Sequence, residues 1–287
     1  MKWIKHGAGM LLSALGAALI AVLIWKGPGW VSEWRLRQEK PETPAVTVIE
    51  PSGAGNSGDF GENAENEQSA EEIEAAQREK YASILARNPD VVGWLTIEDT
   101  PVDLPVLQTT DNEFYLHHNL DGEYDDAGLP FVDNECDVKE GRHLIIYGHH
   151  MSSRFDALAE YYDPDFYEEH PVIQLDTLYE SSLYKVVAVY AVTARTEDAD
   201  FFAFNTYVDF DTDEEEQEYL DEIEQRAFYT TGDYVQADEK LLSLCTCTYQ
   251  MEDARLVVMA RPLREGESLE AGTVTVNPDP LVPERWP

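Results

Sequence analysis

The sequence predicts a mainly β fold, a barrel or a sandwich, with one helix ahead of the strands and another inserted before the last strand pair. Three observations carry this. About eight short apolar runs, many rich in Val, Ile, Leu and Tyr, are separated by turn residues, the pattern of strands in an all-β domain. Helical periodicity is confined largely to two stretches, 70–87 and 213–226. Strands do not alternate with helices, which argues against a parallel α/β sheet.

In chain order, the first 30 residues form a unit of their own. Lys2, Lys5 and His6 precede an uncharged stretch from Gly7 to Trp25, close to the roughly 20 residues a helix needs to cross a bilayer. A cleaved signal peptide is the rival, but its apolar region is shorter, about 7–15 residues. Trp25 and Trp30 fit an interfacial aromatic belt. The expectation is an uncleaved, single-pass anchor over residues 1–30. Lys26, Arg35, Arg37 and Lys40 follow the stretch, so orientation rests on the short basic N-terminal tail, which favours an extracellular C-terminal part.

Residues 31–69 read as a flexible acidic linker, with Pro51 to Gly58 at its centre. Residues 70–265 are the expected catalytic domain and 266–287 a C-terminal tail. Within that domain the helix over 70–87 stops at Asn88-Pro89 and is expected to pack behind the strands. Strands follow at 91–97 and 102–107, a short helix at 112–118, then strands at 129–132 and 143–147. Helical turns at 155–161 precede strands at 172–175 and 183–193. The helix at 213–226 opens with Asp213 to Glu216, favourable at a positive dipole end. The runs 241–247 and 255–260 close the domain.

The formal net charge is −37, and residues 1–40 hold six of the 20 Lys/Arg but two of the 57 Asp/Glu. The rest of the chain therefore repels phosphate backbones, which excludes nucleic acid as a partner. No acidic run has calcium-loop spacing, and neither Cys-x2-Cys nor His-Glu-x-x-His occurs. Three cysteines cannot form a closed disulfide framework. Cys245 and Cys247, two apart on one strand, share a face where a bridge would be strained.

Chemistry concentrates at Ser243-Leu244-Cys245-Thr246-Cys247, at Arg255 eight residues on, and at Tyr147-Gly148-His149. A thiol attacks as thiolate and needs a local cation or base, the more so in an acidic domain. Arg255 can return antiparallel to Cys247 and, permanently protonated, can only donate, so its natural task is an oxyanion. His149, after a strand and a glycine, can exchange protons. The bland alternatives are an inert buried thiol, a surface ion-pair arginine and a loop histidine, with His150 next door as an ambiguity. His117, His118, His143 and His170 have no local chemistry and are expected to be structural.

The Ser243–Cys247 run resembles the Thr-Leu-x-Thr-Cys signature of sortases, the cysteine transpeptidases of Gram-positive surfaces. Tyr147-Gly148-His149 is similar to their histidine strand end, and Arg255 to their arginine. Asn88 to Trp94, Tyr115-Leu116 through Gly122-Glu123-Tyr124, and Asp165-Phe166-Tyr167 with His170-Pro171 resemble class B members. So do the N-terminal and inserted helices. The resemblance spans roughly 75–263 and implies an eight-stranded sortase β-barrel with Cys247 as nucleophile, His149 as general acid/base and Arg255 as oxyanion stabiliser. Cys245 and Thr246 are expected at the substrate groove. Cys245 stands where class B members often have Ser, and Ser243 where Thr is usual.

The implied activity cleaves a sorting motif in secreted proteins through a thioacyl-enzyme and transfers them to a peptidoglycan-precursor or pilin amine. Motifs like Leu-Pro-x-Thr-Gly and Asn-Pro-x-Thr-Asn are both compatible. No cofactor is implied, and the expected place is the cell membrane with the catalytic domain outside. A thiol peptidase that uses water, or an idle anchored binding domain, are the alternatives.

Overall fold

The computed structural model describes residues 36–41 and 69–287. The chain divides into two units, 1–40 and 41–287. Of the first, residues 36–38 form a helical turn. The expected anchor and nearly all of the linker lie outside the described residues. Among the described residues no helix is long and apolar enough to cross a membrane.

The second unit opens with α1 (Ala70–Lys80), started by a reciprocal capping box between Ser69 and Glu72. Such a box satisfies two orphan amides of the first turn. α2 (Ala82–Arg87) follows after a break at Tyr81, so the single helix expected over 70–87 is two. Tyr81 is fully buried and its hydroxyl donates to Asp176 O at 3.1 Å, while Gln77 Nε2 reaches Ser181 Oγ at 2.7 Å. The helical pair therefore lies against the barrel, as expected.

Strands β1 (Val91–Thr96), β2 (Asp103–Leu107), β3 (Phe131–Val132) and β4 (His143–Tyr147) come next. α3 (Pro164–Glu169) separates them from β5 (Val172–Thr177) and the long β6 (Ser181–Thr193). α3 has Asp163 as N-cap and Pro164 in its first turn, a proline position compatible with a helix start. The inserted helix α4 (Asp213–Arg226) has the expected bounds, with Thr212 as its cap. Strands β7 (Tyr229–Thr230), β8 (Leu241–Cys247), β9 (Ala254–Pro262) and β10 (Thr275–Val276) complete the chain.

Eight strands close on themselves in the order β6-β5-β1-β2-β3-β4-β8-β9, with β9 pairing back to β6. Closure leaves no open edge in the ring. The two-residue β7 attaches outside it on β6, and β10 in turn pairs with β7. The segment 266–287, read from sequence as a tail, lies along the domain: Leu281 N donates to Gln225 O at 2.8 Å and Trp286 stacks on Phe228. The core draws on β1, β4, β6, β8 and β9 through Leu95, Ile145, Val189, Leu244 and Val258, all fully buried. Each such side chain contributes about 1.5–3 kcal/mol of burial energy.

Two pairings position the site. β4 and β8 run parallel, Tyr147 opposite Cys245, so both strands end at the same rim. β8 and β9 run antiparallel, Cys247 opposite Arg255.

Candidate active site

The parallel register delivers Gly148-His149 and Thr246-Cys247 side by side. Two hydrogen bonds fasten the strand ends together: Gly148 N donates to Cys245 O at 3.1 Å, and Thr246 Oγ1 donates to Gly148 O at 2.8 Å. Thr246 is buried. It was expected at the substrate groove; its hydroxyl instead turns inward and ties the cysteine strand to the histidine strand. Gly148 has its own steric reason, since a Cβ there would meet the Phe155 ring at 2.7 Å. Only a glycine lets that ring pack beneath the histidine.

Of the three cysteines, Cys136 and Cys245 are buried and Cys247 is half-buried. Burial pushes the Cys136 thiol up to about 12, and that of Cys245 likewise to about 12, against the pull of the nearby Arg255 guanidinium. Both thus stay protonated and unreactive at neutral pH. Cys245 and Arg255 share the wall of a cavity of about 240 Å³ with Tyr147, Thr193, Phe202 and Asn205. Cys245 is therefore at a concave surface, although its sulfur is desolvated.

Arg255 is half-buried, and its one described hydrogen bond runs from Nη1 to the Ala254 carbonyl at 3.1 Å. No carboxylate pairs with it among the described residues. In a chain of net charge −37 that is an unusual state for a guanidinium, and it leaves donors for an anion.

His149 is half-buried, with Nε2 on Leu116 O at 2.8 Å. A carbonyl can only accept, so Nε2 carries the proton and Nδ1 is the basic nitrogen of the neutral ring. His150 is committed at both nitrogens, Nδ1 to Cys247 O at 2.8 Å and Nε2 to Asp156 Oδ1 at 3.1 Å. The adjacent histidines thus differ in their contacts. One has a nitrogen to exchange a proton with; the other is held.

His143 is structural, as expected. Burial holds it down at about 4, and its neutral ring bridges Tyr207 O through Nδ1 and Ser243 Oγ through Nε2, at 2.7 and 2.8 Å. This pairing accounts for Ser243 in the signature, because the hydroxyl supplies the donor that a buried Nε2 needs. His118 binds the Phe114 carbonyl, and His170 packs on Phe166. Only His117 approaches the site, its ring 5.8 Å from that of His149. No group of His, Cys, Asp and Glu suited to a metal occurs among the described residues.

Sequence reasoning missed two contributors, the Thr246 tie and the His150 clamp. Both depend on partners about a hundred positions away in sequence, at Gly148 and Cys247 respectively. Nothing in the local pattern marks such a pairing.

The family described as the sortase domain matches residues 95–263. Sortase B of Listeria monocytogenes is 31% identical over 255 residues, covering 87% of this chain and 97% of that protein. The structure of Clostridium perfringens sortase B superposes with a TM-score of 0.58 at 28% identity, over 64% of this chain and 99% of that one. A Staphylococcus aureus sortase B–substrate complex does so with a TM-score of 0.58 at 28% identity, over 68% and 93%. With the family match spanning more than half of the chain, and a relative above 30% identity over most of both lengths, this chain belongs to the sortase family of cysteine transpeptidases and is similar to its class B members.

Proposed function

We propose that this transpeptidase is membrane-anchored, and that it joins secreted proteins bearing a C-terminal sorting motif to a cell-wall or pilin amine through Cys247, His149 and Arg255. The observation that carries the assignment is the pairing of the one half-buried thiol with an arginine that no described carboxylate neutralises, opposite it in register. The uncharged stretch from Gly7 to Trp25 supports an anchor with the catalytic domain outside.

In the first half-reaction the Cys247 thiol gives its proton to His149 Nδ1, and the thiolate attacks the Thr carbonyl of the sorting motif. The carbonyl π electrons move to oxygen, and the Arg255 guanidinium donates to that oxyanion. The tetrahedral adduct collapses with cleavage of the C–N bond, and the proton on His149 goes to the departing amine. In the second half-reaction an acceptor amine attacks the thioester, and His149 Nδ1 takes its proton. Expulsion of the sulfur leaves a new amide, and the proton returns to the thiolate. The thioester preserves the acyl energy, so transfer needs no nucleotide.

The thioester also sets what must be excluded. Water competes with the amine, so the acceptor has to dock before hydrolysis occurs. Leu-Pro-x-Thr-Gly-like and Asn-Pro-x-Thr-Asn-like motifs are the substrates to try, with oligoglycine, diaminopimelate-type and lysine amines as acceptors. Purified enzyme with each peptide should form the amine-linked product, and raising the amine concentration should divert acyl groups from hydrolysis. Cleavage of every motif at a rate and with products unaffected by any amine would identify a peptidase instead.

A further inference from the structure

We propose that residues 277–287 brace one wall of the active-site cavity, with Arg285 and Trp286 as positioning residues for the peptide that occupies it. This rests on the transpeptidase reading, in which the peptide carbonyl lies at Arg255.

The wall needs outside support. Six of the eleven residues that line the cavity of about 240 Å³ come from the segment 194–206, among them Phe201, Phe202 and Asn205. The single regular element between β6 and α4 is a 3-10 turn, Phe204–Thr206. A loop with so few ladder bonds opens easily unless other contacts hold it.

Residues 277–287 supply such contacts at two points. Arg285 Nη2 donates to Asp198 Oδ2 at 3.1 Å, and Glu284 N donates to Asp200 Oδ2. Asp198 Oδ2 also accepts from Thr193 Oγ1 at 2.8 Å, and Thr193 is a buried member of the cavity wall. The Thr193 hydroxyl, and after it the Arg285 guanidinium, hold the Asp198 carboxyl below the ordinary carboxylate range. The carboxylate is therefore ionised at neutral pH, and its bond to Arg285 is charge-assisted.

The brace is itself anchored. Trp286 stacks on Phe228 with centroids 5.8 Å apart and lies 6.4 Å from the Tyr162 ring, which meets Phe228 edge-on. Asn277 N and Leu281 N donate to Phe228 O and Gln225 O at 2.9 and 2.8 Å, and Trp286 N donates to Pro283 O at 2.7 Å. Phe228 is fixed to β6 in turn, its amide donating to Val189 O at 2.9 Å. Trp286 thus sets the adjacent Arg285 and Glu284 on the barrel, and these two hold the loop. A wall set before the peptide arrives spares the ordering cost on binding. Arg285 is exposed, so its ion pair contributes modestly and the larger share falls to Trp286.

The test compares parent, Arg285→Gln, Arg285→Lys and Trp286→Ala in the full chain. It follows steady-state transfer of a Leu-Pro-x-Thr-Gly-like or Asn-Pro-x-Thr-Asn-like peptide to an amine, alongside amide hydrogen exchange. kcat/KM for the peptide should fall about threefold in Arg285→Gln and about tenfold in Trp286→Ala, the scales of an exposed ion pair and an aromatic pair. Arg285→Lys, which keeps the charge, should recover most of the loss. kcat should stay within about twofold of the parent and kcat/KM for the amine should not change, because Cys247, His149 and Arg255 are untouched. Exchange should quicken over 196–205 in Arg285→Gln and Trp286→Ala and keep its parent rates in β8 and β9. Parent kcat/KM for the peptide in both of these variants, a fall carried by kcat alone, or unchanged exchange over 196–205 overturns the proposal. Should Trp286→Ala loosen the whole barrel, Arg285→Gln decides. A parent that forms no thioester with any sorting peptide overturns the transpeptidase reading, and the exchange rates then still decide whether the segment braces the loop.

Discussion

The two ends of β9 carry arginines on the same strand face and use them in opposite ways. At the far end Arg261 is fully buried and locked: Nη1 and Nη2 meet the Glu267 carboxylate at 2.7 and 2.6 Å, and Asp233 lies 3.6 Å away. At the near end Arg255 is half-buried, opposite Cys247, and no carboxylate meets it among the described residues. Six positions along one strand separate an ion-paired guanidinium from one that no described carboxylate meets. Partnering, and not residue type, makes the difference. Satisfied guanidinium donors stabilise the fold, while unsatisfied ones at a concave surface are available to a developing anion. In a chain this acidic, leaving an arginine unpaired requires that the structure keep carboxylates away from it.

The sharpest way to break the comparison is to exchange the fates of the two residues. Arg255→Ala should lower kcat by about 10²–10³-fold, the usual scale for an oxyanion donor, with the melting temperature nearly unchanged. A steady-state assay beside a thermal melt separates these effects. Glu267→Gln should do the reverse, costing about 2 kcal/mol of stability in urea unfolding while kcat stays near the parent value. That cost is below the full cost of an orphaned buried charge because Asp233 and Glu239 remain near Arg261.

The Arg261 end also has a pH signature. Its guanidinium holds the Glu267 carboxyl at about 2, below the ordinary 4.5. The carboxylate's contribution is therefore complete above about 4.5 and is lost as pH falls towards about 2. Unfolding midpoints of the parent should decline through that window, and those of Glu267→Gln should decline less. Between the two ends, Ser243→Ala removes the donor facing buried His143 Nε2 and should cost about 1–3 kcal/mol. The smallest effect on stability belongs to Thr246→Val, about 1 kcal/mol for one hydrogen bond. It should nonetheless slow thioester formation, because the Cys247 and His149 strand ends lose their tie.

Legibility in the sequence followed the range of the interactions. The inserted helix was readable to the residue because its start signals are local: Thr212 caps it, and four acidic residues fill its first turn. That Cys247 and Arg255 face each other was readable from strand spacing and a short turn, and that His149 follows a strand end from the apolar run and glycine before it. Ring closure was legible only through the family resemblance, since β6 meets β9 across more than sixty residues and no turn motif announces it. The break at Tyr81 was hidden by unbroken helical periodicity; it falls at the residue whose hydroxyl reaches Asp176 in β5. Strand parity placed Thr246 opposite the cysteines but could not say that its hydroxyl would find Gly148. The same holds for His150, whose role depends on a backbone carbonyl contributed by another strand.

The central claim is that, of the two cysteines at this rim, the half-buried Cys247 beside the unpaired arginine forms the thioester and the buried Cys245 does not. Intact-protein mass spectrometry after mixing with a sorting peptide, in the absence of amine, tests it directly. The parent and Cys245→Ala should both accumulate the acyl adduct, digestion should place it on Cys247, and Cys247→Ala should show none. An adduct that persists in Cys247→Ala, or that disappears in Cys245→Ala alone, would contradict the account.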